Sequence, residues 1–277
     1  MLCTDDGCVS NVYGVFSKPE LSHLLPGELA AAVEAHRLTR VGTSWFVTPT
    51  ADPAVVRAVA RGARVGCLSG CRLLGVWTPP GCGQHLILPH RANRPADRSA
   101  IYHRARGAWP STAVYPLEDC LLQVLTFHDA ETGLMVLESA VNQRLIPPSL
   151  APCLLGQAPK RRQARLNLFD PRSESGTETR VRLFLQGRRV HVRPQVHIAG
   201  VGRVDLLVGE SLIAECDSHA YHSDYREDRR RDLAARALGY QVLRLSFDQV
   251  RYHWAETQRL LVSIIRTRKH SRPPRPL

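Results

Sequence analysis

The sequence predicts a mixed α/β protein of the α+β type, with a mixed-sheet sandwich in its C-terminal half. The chain has 277 residues, enough for about two ordinary domains, and a hydrophobic content of 44%, enough to bury cores. From residue 173 onward, element patterns follow the order α-β-β-β-α-β-α, which suits a sheet covered by helices. Residues 147–171 are interrupted by prolines and mark a boundary. We expect an N-terminal region at 1–158, a domain at 173–268 and a basic, disordered tail at 269–277.

The first elements of the N-terminal region have the order of a winged helix-turn-helix. Ser17 can cap a short helix with Pro19 in its first turn, and a second helical pattern follows Pro26. Two β-prone runs around Gly42 then suit a wing. Other three-element domains produce the same pattern, and with only Lys18, Arg37 and Arg40 as local cations this stretch lacks a strong DNA-binding footprint.

The rest of the N-terminal region predicts alternating helices and strands. Asp52 is expected to cap a helix that ends at Gly62, and a further helix is expected to start at Ser69. Later elements are strands at 84–90 and 99–106 and helices in "PLEDCLLQVLTFH" and "GLMVLESAVNQRLI".

The C-terminal elements are each bounded by local patterns. The first helix is expected to open with a capping box of Ser175 and Glu178 and to end at Gly187. A later helix is expected to start at Ser223 or Asp224. The elements after the first helix are the strands "RVHVRPQVHI", "RVDLLV" and "LIAECD", the helix "SDYREDRRRDLAARALG", the strand "YQVLRLSF" and one closing amphipathic helix, "DQVRYHWAETQRLLVSIIRTR".

Positive charge is concentrated in the C-terminal part of the chain. The net charge is +12, of which residues up to 159 contribute +1 and residues from Lys160 onward contribute +11. A cation excess confined to one half favours a polyanionic partner for that half, and double-stranded DNA is the leading candidate. The alternative is a solvated basic face.

The composition predicts a cytoplasmic protein without a membrane partner. The N-terminal residues are acidic where a signal peptide needs positive charge, and no run approaches the ~20 apolar residues of a membrane span. Eight cysteines in a chain of this length are expected to be free thiols. The spacing of Cys67, Cys71, Cys82 and His85 permits a zinc site but lacks the usual C-x2-C pattern, which favours thiols in a core.

Carboxylates converge in the predicted C-terminal sheet. Asp205 lies in one strand, and Glu215 and Asp217, two residues apart, share a face at the end of the next strand. If these strands form a hairpin across "GES", the three acids repel one another unless a cation binds. Hard oxygen donors suit Mg²⁺ or Mn²⁺, and Glu178 on the preceding helix can add a fourth carboxylate. The alternatives are strand-end acids paired with arginines and, for Glu178, a capping role alone.

Residues from about 176 to 266 resemble the PD-(D/E)XK nuclease superfamily, and in particular its very-short-patch-repair (Vsr)-like branch. The matching motifs are the Asp of "RVDLLV", the Glu-x-Asp of "LIAECD", a following His, the helix "EDRRRD" and "GYQVLRLSF". The resemblance implies a restriction-endonuclease-like fold. It also implies that a Mg²⁺- or Mn²⁺-activated water hydrolyses phosphodiester bonds in DNA.

The same resemblance implies roles for individual residues. Asp205, Glu215 and Asp217 match the metal ligands, and Glu178 matches the acid of the first helix. His222 matches a following His that would act as general base, a role that His219 could fill instead.

Two departures from the family pattern lie at the strand end. Asp217 stands where the superfamily has a Lys, and Ser218 stands where a Gly is common. The helix run matches the signature through Asp228 and Arg231, and it can also be a solvated face with i,i+4 pairs. The residues expected to contact nucleic acid are Arg229, Arg230, Arg231 and His219.

The region from about 15 to 157 resembles, in its order of elements, the N-terminal half of AbiEi-type antitoxins. That resemblance implies a toxin or other protein partner.

Taken with the nuclease resemblance of the C-terminal half, the expected function is a metal-dependent DNA endonuclease. The alternatives are a non-catalytic, antitoxin-like DNA-binding regulator that retains the nuclease fold, and a nuclease directed at RNA.

Overall fold

The computed structural model describes residues 12–217 and 225–276. It confirms a mixed α+β protein, in which the described residues form helices and three small sheets. The chain divides into two compact units, which we call unit 1 (Met1–Phe127) and unit 2 (His128–Leu277). Among the described residues, no helix combines the length and the apolar character needed to cross a bilayer.

Unit 1 combines two three-stranded sheets with short helices. Its described elements are β1 (Val15–Ser17), a 3-10 helix (Pro19–Leu21), α1 (Pro26–Glu34), β2 (Thr39–Val41), β3 (Trp45–Val47), α2 (Pro53–Ala60), β4 (Arg64–Val65), α3 (Cys67–Leu73), β5 (His85–Leu88), β6 (Ile101–Arg104) and α4 (Leu117–Phe127).

The first sheet of unit 1 is antiparallel, with β3 in the centre between β1 and β2. The hairpin of β2 and β3 turns around Gly42, at a φ of +61°, as the sequence predicts. The first predicted helix is wrong in extent, because only the 3-10 turn forms. There the Glu20 carboxylate folds back and accepts hydrogen bonds from the N–H and hydroxyl of Ser17 at 2.8 Å each.

The second sheet of unit 1 pairs β5 with β4 on one side and with β6, in parallel, on the other. The predicted cap of α2 is confirmed, since Asp52 Oδ1 accepts hydrogen bonds from the N–H groups of Ala54 and Val55. Helix α3 begins at Cys67, two residues before the predicted start at Ser69.

Unit 2 is built around one four-stranded sheet. Its described elements are α5 (Ala130–Asn142), α6 (Leu150–Gln157), α7 (Lys160–Leu166), α8 (Gly176–Gln186), β7 (Val192–Ile198), β8 (Gly202–Val208), β9 (Leu212–Asp217), α9 (Tyr225–Ala237), β10 (Gln241–Ser246), α10 (Phe247–Arg251), α11 (Trp254–Arg266) and a 3-10 helix (Lys269–Ser271).

The unit 2 sheet has the strand order β10-β9-β8-β7, with β10 parallel to β9 and the other neighbours antiparallel. One face packs on α8 and α11 through residues such as Leu185 and Leu261, and the other packs on α9 through Ala235. The sheet is therefore enclosed between helices on both faces, which leaves the ends of its strands accessible.

The single closing helix of the prediction is wrong, because the structure has two helices, α10 and α11. The chain leaves the helical conformation at His253, where φ is −111° and ψ is 34°. Thr257 Oγ1 donates to the Gln249 carbonyl at 2.7 Å across this break. A side chain thus satisfies a carbonyl at the end of α10.

The boundary expected from the prolines at 147–171 falls within unit 2, where a buried ion pair joins α5 to α8. Arg182 Nη2 lies 2.6 Å from Glu138 Oε1, and their side chains are 0% and 1% exposed. The tail expected to be disordered also packs on unit 2. His270 is buried, and its carbonyl accepts the Glu210 N–H at 2.7 Å.

Candidate functional site

Two of the predicted acids face each other across the hairpin of β8 and β9. The turn between the strands contains Gly209 at a φ of +62°. The Asp205 N–H donates to Glu215 Oε2 at 3.1 Å, and the Cys216 N–H donates to Asp205 Oδ2 at 2.8 Å. Each carboxylate is thus anchored by the backbone of the opposite strand, at the point where the pairing of the two central strands ends.

The side-chain alternation of β8 shifts at Asp205. Val204 and Leu207 belong to the core under α9, whereas Leu206 belongs to the core under α8. Regular alternation would put Val204 and Leu206 on the same face, so the strand changes its orientation between them. The residue at this irregularity is the one that supplies the carboxylate.

Glu178 joins these acids from the first turn of α8. Its N–H donates to the capping hydroxyl of Ser175 at 3.1 Å, but its carboxylate does not close the predicted capping box. Instead, Glu178 Oε2 accepts hydrogen bonds from the Glu174 N–H at 3.1 Å and from Gln195 Nε2 at 2.9 Å. The side chain therefore extends into the site and is only 4% exposed.

Gln195 on β7 connects Glu178 to Asp205, a role that the sequence analysis did not predict. Its Nε2 lies 3.5 Å from Asp205 Oδ1, and its Oε1 is buried without a hydrogen-bond partner among the described atoms. Its φ is +53°, in the left-handed region that favours glycine. A neutral residue inside a strand pattern carries little sequence evidence of such a role.

Burial and mutual repulsion change the ionisation of the acids. Burial, reinforced by the charge of Asp205, raises the pKa of Glu178 to about 7. The same two causes raise the pKa of Glu215 to about 7. The ionised form of each group is therefore disfavoured, and a nearby cation would favour it. Acids perturbed in this way often occur at functional sites.

Asp217 lies apart from this pair, exposed and bound to an arginine. Arg244 on the parallel neighbour β10 places Nη1 3.1 Å from Asp217 Oδ1. The same guanidinium contacts two acids of α9, Asp228 at 3.6 Å and Asp232 at 3.2 Å. Arg244 was not among the predicted site residues, although the "GYQVLRLSF" motif contains it.

Arg231 on α9 forms an ion pair with Glu215. Its Nη2 lies 3.3 Å from Glu215 Oε1, and its guanidinium also donates to the Val201 and Arg203 carbonyls. Arg229 and Arg230 have exposed side chains on the same helix, α9. The predicted bases His219 and His222 lie outside the described residues, so the structure places seven of the nine predicted site residues.

These residues line an open cleft of about 770 Å³ in unit 2. Its rim includes the ion pair of Arg203 and Glu174, whose closest atoms are 2.6 Å apart. The cleft is lined by Glu174, Ser175, Glu178, Arg203, Asp205, Glu215, Cys216, Asp217, Asp228, Arg231 and Arg244. Carboxylates and guanidinium groups thus line the same cavity.

A separate buried cluster in unit 1 can hold a metal ion. One donor atom each from Cys67, His85 and His103 lies within 4.8 Å of the others. The sequence spacing grouped Cys67 and His85 with Cys71 and Cys82. The structural cluster contains neither of those two cysteines and includes His103 instead. Within residues 12–217 and 225–276, the strand-end carboxylates form no group of three whose donor atoms all lie this close.

No protein-family model and no curated protein matches this sequence. The described geometry defines an α+β protein with a carboxylate- and arginine-lined cleft in one unit and a Cys/His cluster in the other.

Proposed function

We propose that unit 2 is a metal-dependent nuclease that hydrolyses phosphodiester bonds in DNA. The observation that carries the proposal is the reciprocal anchoring of Asp205 and Glu215 across the central strands β8 and β9. The strand order, with only β10 parallel to its neighbour, supports a restriction-endonuclease-like sandwich. The elements from α8 to β10 follow the α-β-β-β-α-β order that the resemblance implies.

Asp205 and Glu215 suit a Mg²⁺ or Mn²⁺ ion. Mg²⁺ usually keeps several waters and takes one or two carboxylates together with substrate phosphates, so a third carboxylate is unnecessary. When bound, such an ion polarises the phosphate and lowers the pKa of a bound water. Asp217, the third ligand implied by the resemblance, instead holds Arg244 in place.

In the family pattern a Lys stands at the position of Asp217, and here Arg244 would supply the positive charge of that Lys. Its guanidinium lines the cleft and is positioned by acids on two elements, β9 and α9. A guanidinium binds two phosphate oxygens through parallel hydrogen bonds and stays protonated. Arg244 therefore stabilises the charge of the reacting phosphate, while the proton of the attacking water goes to another residue.

The proton acceptor comes from two sets of candidates. His222 or His219 follows the strand end, as the resemblance implies, and an imidazole accepts protons near neutral pH. Glu178 is the alternative among the described residues, because its pKa of about 7 suits a general base. Substituting His222, His219 and Glu178 separately by Gln and comparing pH–rate profiles would identify the base.

DNA is the substrate that the charge distribution favours. The residues from Lys160 onward carry +11 of the net charge of +12, and Arg229 and Arg230 extend this charge along α9. In unit 1, α1 followed by the β2–β3 hairpin supports a winged-helix-like element. That element would bind DNA, or a toxin or other protein partner.

Plasmid nicking tests the proposal. We expect the wild type to nick supercoiled plasmid with Mg²⁺ or Mn²⁺ and to lose this activity with EDTA. Asp205→Asn and Glu215→Gln should lower the rate by at least about a hundredfold, whereas Glu210→Gln, an exposed control on the hairpin turn, should retain it. Nicking that survives both cleft substitutions would refute the assignment.

A non-catalytic, antitoxin-like regulator is the alternative function. The ion pair of Asp217 with Arg244 favours it, because the third family carboxylate is then not available to a metal. Metal-independent binding of DNA by the wild type and by Asp205→Asn, without cleavage by either, would support this alternative. A parallel assay on RNA would identify an RNA-directed nuclease.

A further inference from the structure

A histidine pair in unit 1 has two ring nitrogens in direct contact. His85 Nδ1 and His103 Nε2 lie 3.0 Å apart, and the rings are stacked with centroids 5.3 Å apart. His85 pairs with Ile101 across the parallel strands β5 and β6, so His103 lies two residues farther along. Residues two positions apart share a face of the sheet, which is why the two rings meet.

The surroundings of His85 fix the direction of its lone pair. His85 Nε2 lies 2.8 Å from the Cys82 carbonyl oxygen, which can only accept. In the neutral ring, Nε2 therefore carries the proton and Nδ1 directs a lone pair toward His103. The His85 N–H also donates to Ser69 Oγ at 2.8 Å. Metal-binding histidines typically donate their second ring N–H to a carbonyl in this way.

Cys67 reaches the same point from the start of α3. Its side chain is 0% exposed, and its backbone has a φ of +51°. The Cys67 N–H donates to Gln123 Oε1 at 2.7 Å. The preceding Gly66 has no space for a side chain, since a Cβ would lie 2.5 Å from Gln123 Oε1 and 2.7 Å from Ile87 Cγ1. The backbone that delivers the sulfur is therefore closely confined.

We propose that Cys67, His85 and His103 bind a Zn²⁺ ion in unit 1. One thiolate and two imidazoles are donors that Zn²⁺ prefers, and they suit Mg²⁺ poorly. The donor atoms already lie within 4.8 Å of one another, and tetrahedral Zn²⁺ brings its ligands to roughly 3.5 Å. Transfer of the His103 proton from Nε2 to Nδ1 turns both imidazole lone pairs toward the ion.

This zinc site is distinct from the carboxylate cleft of unit 2 and does not depend on its proposed activity. The ion would link α3 to both β5 and β6, and so would stabilise unit 1. The full-length protein tests this directly. After treatment with EDTA, reconstitution with zinc sulfate and dialysis, we expect a single Zn²⁺ per chain by elemental analysis.

Matched variants identify the ligands. Cys67→Ser and His103→Gln should each lower Zn²⁺ affinity at least about tenfold. Cys71→Ser, which removes an equally buried thiol from the same helix, should leave it unchanged. Asp205→Asn should also retain zinc, which separates this site from the cleft. His103 is only half-buried, so His103→Gln decides the question if Cys67→Ser fails to fold.

Cobalt gives an independent reading of the sulfur ligand. Co²⁺ added to the zinc-free protein should produce a thiolate-to-cobalt charge-transfer band that Cys67→Ser loses and Cys71→Ser keeps. Two results would overturn the proposal: folded wild type, verified by circular dichroism, that retains no zinc, or zinc binding unchanged in both Cys67→Ser and His103→Gln.

Discussion

Replacing Glu178 by Gln should stabilise the protein at alkaline pH and have little effect at acidic pH. The folded protein raises the pKa of Glu178 from 4.5 to about 7 because the side chain is buried and faces the charge of Asp205. Each pKa unit corresponds to about 1.4 kcal/mol, so an ionised Glu178 destabilises the folded state by about 3 kcal/mol.

The pH window follows from the direction of the shift. Below pH 4.5, Glu178 is protonated in the folded and unfolded states alike. As pH rises from 4.5 to about 7, the unfolded state loses its proton first, so this group's contribution to stability is lost across that window. Glutamine is neutral at every pH, and its amide oxygen can accept the hydrogen bonds from the Glu174 N–H and Gln195 Nε2.

Urea denaturation at two pH values measures the effect. At pH 8 we expect Glu178→Gln to raise the free energy of unfolding by about 3 kcal/mol, and near pH 4.5 we expect almost no change. Glu210→Gln, an exposed substitution in the same unit, is the control and should have little effect at either pH. Equal destabilisation by Glu178→Gln at both pH values would mean that the folded protein needs an ionised Glu178, which would refute the reasoning.

Three further substitutions test the packing. Arg182→Leu should destabilise unit 2 by about 3–5 kcal/mol in urea denaturation, because it leaves Glu138 buried without its cation, and adding Glu138→Leu should recover much of the loss. Gly239→Ala should lower the thermal midpoint, since its φ is +87° and a Cβ would meet the Arg275 backbone, and deleting residues 272–277 should restore only the steric part. Asp52→Ala should reduce stability by about 1 kcal/mol in thermal unfolding, because two N–H groups of α2 lose their acceptor.

Elements with local start and stop residues could be predicted from the sequence. Asp52 and Gly62 bound α2 as expected, and the turn at Gly209 joins β8 to β9 as a hairpin. Turn and capping residues act within a few positions, so the sequence near them is sufficient. The facing of Asp205 and Glu215 follows from the same hairpin, because the turn sets which residues are opposite.

Contacts made by distant pairing could not be predicted in this way. Arg244 reaches Asp217 only because β10 lies parallel to β9, and His103 reaches His85 only because β6 lies parallel to β5. Parallel pairs are joined by long connections, so sequence spacing does not set their register. The positive φ of Gln195 is likewise a property of the folded strand and not of its residue type.

The buried pair of Glu138 and Arg182 also holds α8, the helix that carries Glu178, against α5. Arg182 donates to Ser173 Oγ and the Leu168 carbonyl as well as to Glu138. A shift of α8 along α5 would therefore leave the buried charges of Arg182 and Glu138 without their partners. Such an uncompensated charge costs about 3–5 kcal/mol. Helix α8, which carries Glu178, is therefore held in one register against α5. Under the proposed function, a phosphate would compete with acids for the arginines of the facing wall, Arg231 on α9 and Arg244 on β10, which pair with Glu215 and Asp217.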